Sequence, residues 1–576
     1  LGLFYRSLIP GEDMGALVEY CVKAYAADGA VASSVTNSYT VRSPVIHVAA
    51  GGAQAAPYDT WDRAFTNLAG ALAFAIDGME VRVTNGVYRE GATIVVTNEI
   101  RLSGAHGAGQ TILDAAGSNV CLSIEARAIV DGFTITGGFT TNTGGGVRLA
   151  NGELRNSLVV SNEALTGGGG MALSAGTLAS NCVLSANSSY SGGGALVSIG
   201  GEIRNSLIEG NRAEGGGGVC LNLGGAVRFS TIRGNAAAGD AGGVMAALGG
   251  TIEGCVLEGN HAGHSGGGAA FVAFFGAKTT IRSVLSANNT AAVGGGLYVV
   301  GQCDAANLTI VSNAAAEAAG LLAMAGCALR NLILADNAGG ADVFSNASCE
   351  QVCAPAGVTG NAVTVTGLIT NPPLFLDPAA GDFRLDVFSP CRDAGTNADW
   401  MTNALDAAGC ARVVNGIVDI GAYELGMGRT VTITAEAGPH GSIQPSGAVQ
   451  APYGGRAAFA LVPDAAHRIL NVTVDGAPVG AVSNLVLTGL AGDHVVAAWF
   501  ALDRAARNDF DGDRASDLAV FDPASGEWYV QSIARNRVLA WRLPWGWPGA
   551  AAAAGDFDGD RACDIAAYDA SGALWY

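Results

Sequence analysis

The chain has 576 residues, of which 85 are glycine, 49% are apolar and only 14% are charged. Its mean hydropathy of +0.32 leaves ample apolar surface for a core, so the glycine content does not signal disorder, and two to four domains are expected. The formal charge of -20, with lysine only at Lys23 and Lys278, excludes nucleic acid and anionic membrane surfaces, which need clustered Lys and Arg; such acidity suits calcium or a soluble protein in salty water.

Residues 1–43 say least. The stretches 17–25 and 35–41 are expected to be the last strands of a preceding immunoglobulin-like domain. The chain opens at Leu1 rather than Met and stops at Tyr576 inside a repeat, so it is expected to be a piece of a longer polypeptide. No apolar run reaches the ~18 residues a spanning helix needs, so no membrane-spanning segment is expected.

Residues 44–425 form the main unit. A helix is predicted over residues 58–75. Asp59 or Thr60 would cap it, and Trp61, Phe65, Leu68, Leu72 and Ala75 recur at helical spacing. Short strands are predicted over 79–83, 93–96, 100–102 and 111–113. Glycine clusters then begin at Gly144, Gly167, Gly192, Gly215, Gly242, Gly266 and Gly294, spaced 23 to 28 residues apart, with a degraded copy at Ala318-Ala319-Gly320. Each leads into an alternating apolar stretch, such as Val147-Arg148-Leu149 or Leu297-Tyr298-Val299. A second stretch follows an Asn, at Asn156, Asn205 and Asn331. A further Asn closes it, at Asn162, Asn187, Asn211, Asn235, Asn260, Asn288, Asn313 and Asn337.

Short strands at a fixed period without helical periodicity indicate an all-β chain: a right-handed parallel β-helix of ~24-residue coils over about residues 80–340. Amides stacked one coil apart, at ~4.8 Å, bond along the axis and satisfy the turn backbone, and Asn tolerates the left-handed corners. The predicted helix would cap the open sheet edge of the first coil. The longer coil, 266–293, is expected to extrude its extra residues as a loop.

Cys182 and Cys255 occupy the places of Ser157 and Ser206, as small core residues. Cys303 and Cys327 should stack on adjacent coils. Cys349, Cys353, Cys391 and Cys410 lie in a less regular stretch, where a disulfide would tie loops down; the pairing stays open.

The coils offer little chemistry. A lyase needs a Lys or Arg base, and a hydrolase needs carboxylates on neighbouring coils. Lys278, the scattered Arg148, Arg155, Arg204, Arg228 and Arg233, and Glu153, Glu202, Glu209 and Glu258 are the candidates. Their matching coil positions predict an exposed charged row instead. His261 and His264 flank a corner without an evident third metal ligand.

Three stretches carry resemblances. Residues 46–52, Trp61, Val83-Thr84-Asn85-Gly86-Val87-Tyr88 and Val130-Asp131-Gly132-Phe133-Thr134-Ile135 resemble the opening of bacterial pectin-lyase-like β-helix proteins. The triple-glycine coils resemble polymorphic outer-membrane-type surface proteins. Residues 373–378, 381–385, Ser389-Pro390-Cys391 and Val418-Asp419-Ile420-Gly421-Ala422-Tyr423-Glu424 resemble the end module of the choice-of-anchor Q family. These resemblances imply a secreted or cell-surface bacterial protein. Its β-helix would be structural or adhesive, contacting a polysaccharide or cell-surface glycan, further domains of its own polypeptide, or itself. The alternative is a polysaccharide lyase or glycoside hydrolase using the β-helix groove.

Residues 429–501 change character, with alternating strands and turn signals at Pro439-His440-Gly441 and Asp475-Gly476. Gly441-Ser442-Ile443, Tyr453-Gly454-Gly455, Val474-Asp475-Gly476 and Ala498-Trp499-Phe500-Ala501 resemble an internalin B-type repeat, a β module used as a spacer or for binding.

Residues 505–576 contain the strongest site signal. Asp509, Asp511, Asp513 and Asp517 recur 47 residues later as Asp556, Asp558, Asp560 and Asp564. Four carboxylates at positions 1, 3, 5 and 9, with the carbonyls of Ala515 and Ala562 at position 7, make oxygen-only shells that select Ca2+ in a structural role. A solvated acidic turn is the alternative, and the duplication argues against it. An EF-hand is disfavoured, because Val520 and Ala567 stand where its final Glu would be. Together with Trp528-Tyr529 and Trp575-Tyr576, the loops resemble FG-GAP/VCBS-type repeats, of which two cannot close a propeller.

Overall fold

The computed structural model describes residues 17–575, except 22, 26–30, 34, 41, 274–276, 325, 362–363, 387, 426–429, 453–455, 465–466, 489, 491, 503–509, 511–516, 533–535, 549, 556–562 and 570–573. The fold is nearly all β and is dominated by a parallel β-helix, as the period predicts.

Three parallel sheets of 22, 12 and 9 strands build the solenoid. One coil shows the rule. Val147–Leu149 lies on the 12-stranded sheet, Glu153–Arg155 and Leu158–Val160 on the 22-stranded sheet, and Glu163–Gly167 on the 9-stranded sheet. Two stretches per coil are thus evident from sequence, and the structure adds two more. The reason is strand length. In a three-residue strand on the widest sheet only the middle residue faces inward, too little alternation to read from sequence.

Those middle residues stack into two columns, Leu154–Ala179–Ile203–Val227–Ile252 and Val159–Leu184–Ile208–Ile232–Leu257, all fully buried. Each large aliphatic member contributes ~1.5–3 kcal/mol of burial. Between the two strands the chain bends through a left-handed residue, Asn156, Asn181 or Asn205 (φ 48–54°), and in later coils Asn307 and Asn331 (φ 60° and 55°) hold the same place inside the continuous strands Cys303–Val311 and Cys327–Ala335.

The second Asn series forms a buried ladder. Nδ2 of each donates to Oδ1 of the next, from Asn162 through Asn187, Asn211, Asn235, Asn260, Asn289 and Asn313 to Asn337, at 2.9–3.1 Å. Each backbone N–H donates to the same oxygen, for example Asn211 N to Asn235 Oδ1 at 3.0 Å. One assignment is corrected. Asn289, not Asn288, is the rung; Asn288 is exposed at φ 57°, because the strand before it, Thr279–Ala287, runs straight into the corner. The extra residues of this coil fall between Ala273 and Thr279, and 274–276 lie outside the described residues.

The N-terminal helix is shorter than predicted: Leu68–Phe74, capped by Asn67, whose side chain accepts from Gly70 N at 2.7 Å. Neither Asp59 nor Thr60 caps it. Residues 58–66 instead satisfy the strand Val45–Val48. His47 N donates to Tyr58 O at 2.9 Å, and Phe65 N donates to His47 O at 2.9 Å. Glu90 completes the cap by accepting from Leu68 N at 2.7 Å. The predicted strands reappear as Glu80–Val83, Ile94–Val96, Arg101–Gly104 and Thr111–Asp114.

Near the N-terminus, Leu17–Tyr20 pairs antiparallel with Asn37–Thr40, and Lys23–Tyr25 with Val31–Ser33. From Thr430 onward, a five-stranded and a three-stranded sheet enclose their own apolar core, with Ile433, Phe459, Val472 and Val496 at its centre. Two antiparallel three-stranded sheets follow, one from Leu518–Asp522, Glu527–Ser532 and Arg537–Leu543, the other from Ala551–Gly555, Asp564–Asp569 and Leu574–Trp575. No helix among the described residues is long and apolar enough to cross a membrane.

Candidate functional site

The outer face of the 22-stranded sheet carries most of the charged residues singled out from sequence; Arg148 lies on the 12-stranded sheet. They face each other rather than a common centre. Arg155 pairs with Glu153 and Arg228 with Glu253, Arg204 with Glu202 at 2.7 Å, Arg233 with Glu209 at 2.8 Å, and Arg101 with Asp131 at 2.7 Å. Lys278 and Arg282 both lean on Asp304, at 3.7 and 3.4 Å. The pairs are partly exposed and therefore worth ~0–1 kcal/mol each. Arg148 reaches the carbonyl of Thr143 at 3.4 Å.

One groove of about 430 Å³ crosses this face. Glu209, Arg233 and Glu258 stack in it on three successive coils, in register, with Ser185 one coil before. Beside them runs an outward, half-buried row that is mostly aliphatic, Leu158, Val183, Leu207, Thr231 and Val256. His261 lies elsewhere, its Nδ1 2.9 Å from Thr290 Oγ1. Among the described residues no three His, Cys, Asp or Glu side chains are grouped to hold a metal.

From the next coil on, the first row turns apolar: Ala287, Val311 and Ala335 continue the Glu209–Arg233–Glu258 row, while Leu285, Thr309 and Ile333 continue the other. There the segment 372–425 folds back and covers the sheet, adding Phe383, Leu385, Cys391, Ile420 and Ala422 to one buried cluster. Thr396 N donates to Asn331 Oδ1 at 2.8 Å, Asn307 Nδ2 donates to Asp419 O at 3.0 Å, and Ala422 N donates to Thr309 Oγ1 at 2.9 Å. Corner asparagines that are exposed upstream are buried here. Gly421 sits at φ 104°, and a Cβ on it would lie 2.6 Å from Ile333 Cδ1, which is why glycine stands at that point of the 418–424 motif.

The motif is held by a buried ionic cluster that sequence reading did not anticipate. Arg412 is fully buried, and its Nη2 donates to Glu424 Oε2 at 2.9 Å. Glu424 also accepts from Val414 N and Asp419 N at 2.9 and 3.0 Å. Asp406 accepts from Cys410 N at 2.7 Å and Glu424 N at 2.9 Å. Burial pushes the carboxyls of Asp406, Asp419 and Glu424 up, Glu424 to about 8, against the pull of Arg412. The missed signal was one arginine among apolar neighbours, Cys410-Ala411-Arg412-Val413-Val414.

The Asp-rich repeats are only partly within view. Asp509, Asp511, Asp513, Ala515, Asp556, Asp558, Asp560 and Ala562 lie outside the described residues. Asp517 is 5% exposed; its Oδ2 accepts from Phe510 N at 2.8 Å, while its buried Oδ1 meets no hydrogen-bond donor among the described residues. A buried carboxylate oxygen left over in this way fits a hard cation. Asp564 opens the strand Asp564–Asp569, with Gly555 as its partner.

No family model matches the chain, and no curated protein matches it in sequence. Solved structures show only a distant likeness to it. Pectate lyase Pel9A is 14% identical with a TM-score of 0.41, over 67% of this chain and 97% of its own. The A-module of the mannuronan C-5 epimerase AlgE6 from Azotobacter vinelandii is 14% identical with a TM-score of 0.27, over 53% of this chain and 94% of its own. Pectin methylesterase PemA from Erwinia chrysanthemi is 13% identical with a TM-score of 0.21, over 45% and 81%.

Proposed function

We propose that this chain is a secreted or cell-surface modular protein. Its β-helix is a rigid structural and adhesive stalk that contacts glycan along the outer face of its widest sheet. Its C-terminal repeats bind calcium structurally, through Asp509, Asp511, Asp513, the carbonyl of Ala515 and Asp517, and through Asp556, Asp558, Asp560, the carbonyl of Ala562 and Asp564. One observation carries the reading. The arginines and carboxylates of that face neutralise one another pair by pair, with apolar side chains between, which suits a shape-reading surface more than a reaction centre. The leftover oxygen of Asp517 supports the calcium assignment.

The alternative, a polysaccharide lyase or glycoside hydrolase, draws on the groove where Glu209 and Glu258 flank Arg233. A glycan array and a panel of acidic and neutral polysaccharides, run with the purified chain, separate the two. Binding without release of unsaturated or reducing ends is the expected result. Release that disappears in Arg233→Ala would establish the enzyme instead.

A further inference from the structure

We propose that Cys353 and Cys391 form a disulfide that locks the segment 372–425 onto the last coils of the β-helix. Cys353 ends the strand Ser348–Cys353, in register with Ile333, so it points outward toward the covering segment, whereas Cys349, in register with Leu329, belongs to the solenoid core. Cys391 reaches the same spot from the covering segment, anchored by its N–H to Ser389 Oγ at 3.1 Å and by its carbonyl, which accepts from Ile420 N at 2.9 Å. Both are fully buried in one apolar cluster. Cys353 donates to Asn371 O at 3.4 Å, and each of the two thiols perturbs the acidity of the other across the cluster they share.

Other buried thiols behave differently. Cys182 and Cys255 donate to the carbonyls of Ser180 and Glu253 at 3.3 Å, as the Ser157 and Ser206 hydroxyls do to Arg155 and Arg204 at 2.7 and 2.8 Å. Cys303 and Cys327 stack in register, yet Cys327 donates to Met324 O at 3.2 Å. Parallel side chains one strand apart, at ~4.8 Å, lie farther from each other than the ~3.8 Å between Cβ atoms of a disulfide. Cys353 and Cys391 come from different elements that meet in one buried cluster.

The reaction balances with a small-molecule or protein disulfide as oxidant. The Cys353 thiolate attacks the oxidant's S–S bond and releases one thiol. Cys391 then displaces the second thiol, so two electrons and two protons pass to the oxidant. Exchange precedes full docking, because the closed site is dry.

Extracellular placement supplies the oxidant in the cell, and in this respect alone the inference rests on the proposed function. The test therefore starts in vitro. The full chain is refolded in a glutathione/glutathione disulfide buffer, alkylated in denaturant, digested and mapped by mass spectrometry. The expected map links the Cys353 and Cys391 peptides, and reduction lowers the unfolding temperature. Alkyl groups on both residues, or a link from either to another cysteine, overturns the inference. Cys391→Ser should unfold where reduced wild type does and be insensitive to reductant; continued sensitivity overturns it too. A link formed in vitro but missing from protein recovered from cells upholds the pairing and removes the export reading.

Discussion

At the residue scale, the asparagine rungs and the Arg412 cluster are the positions where one side chain holds two coils or two segments together. Asn235 Oδ1 accepts from both the backbone N and Nδ2 of Asn211, at 3.0 and 2.9 Å, in a buried position. Asn235→Ala strands both donors and should cost about 2–4 kcal/mol. Chemical denaturation of the variant measures it, and a loss below 1 kcal/mol would show that the ladder does not carry the coils. The Arg412 cluster predicts a pH dependence. The carboxyl of Glu424, 4.5 in the unfolded chain, is raised to about 8, chiefly by burial. A group raised on folding stabilises fully below its unfolded value and loses that contribution as pH rises through its folded value. Docking of the segment 372–425 should therefore weaken between pH 4.5 and 8. Hydrogen exchange at Ile420 and Ala422 reads this directly. Glu424→Gln should flatten the slope in part, since Asp406 and Asp419 remain; an unchanged slope would remove Glu424 from the account.

At the element scale, the glycine corners fall into two kinds that sequence does not separate. Gly295 sits in the stack of corners, where a Cβ would meet Ala319 O at 2.4 Å and Ala314 O at 2.5 Å. Gly259 has nothing within 4 Å and only a left-handed φ of 60°. Gly295→Ala should cost about 3 kcal/mol or more, combining overpacking with displaced corner bonds, while Gly259→Ala should cost about 1 kcal/mol. Equal losses in thermal unfolding would mean that conformation alone selects glycine here. The capping helix carries a similar lesson. Its apolar spacing was legible, but residues 58–66 were claimed by the strand Val45–Val48, and the helix could not begin until Asn67.

At the scale of the whole molecule, the widest sheet changes use along its length. Upstream it presents paired charges and an aliphatic row to solvent; downstream the same register positions are apolar and covered by the segment 372–425. The calcium proposal also belongs at this scale. Adding calcium should raise the unfolding temperature of the C-terminal repeats by several degrees in calorimetry, and Asp511→Ala with Asp558→Ala should abolish the rise. An absent shift in the wild type would sink the assignment.

Sequence alone determined the solenoid, its period, seven of the eight Asn rungs and the small-residue role of Cys182 and Cys255, because a repeat writes the same local requirement many times. It also singled out the 418–424 motif without its cause. Tertiary structure alone decided that Asn289 rather than Asn288 is the rung, that Arg412 is the buried partner of the motif, that Gly421 is dictated by Ile333, and that Cys353 meets Cys391. Each of these depends on which side chains a single, non-repeated fold-back brings together across a long stretch of chain, and a contact made once leaves no period to read.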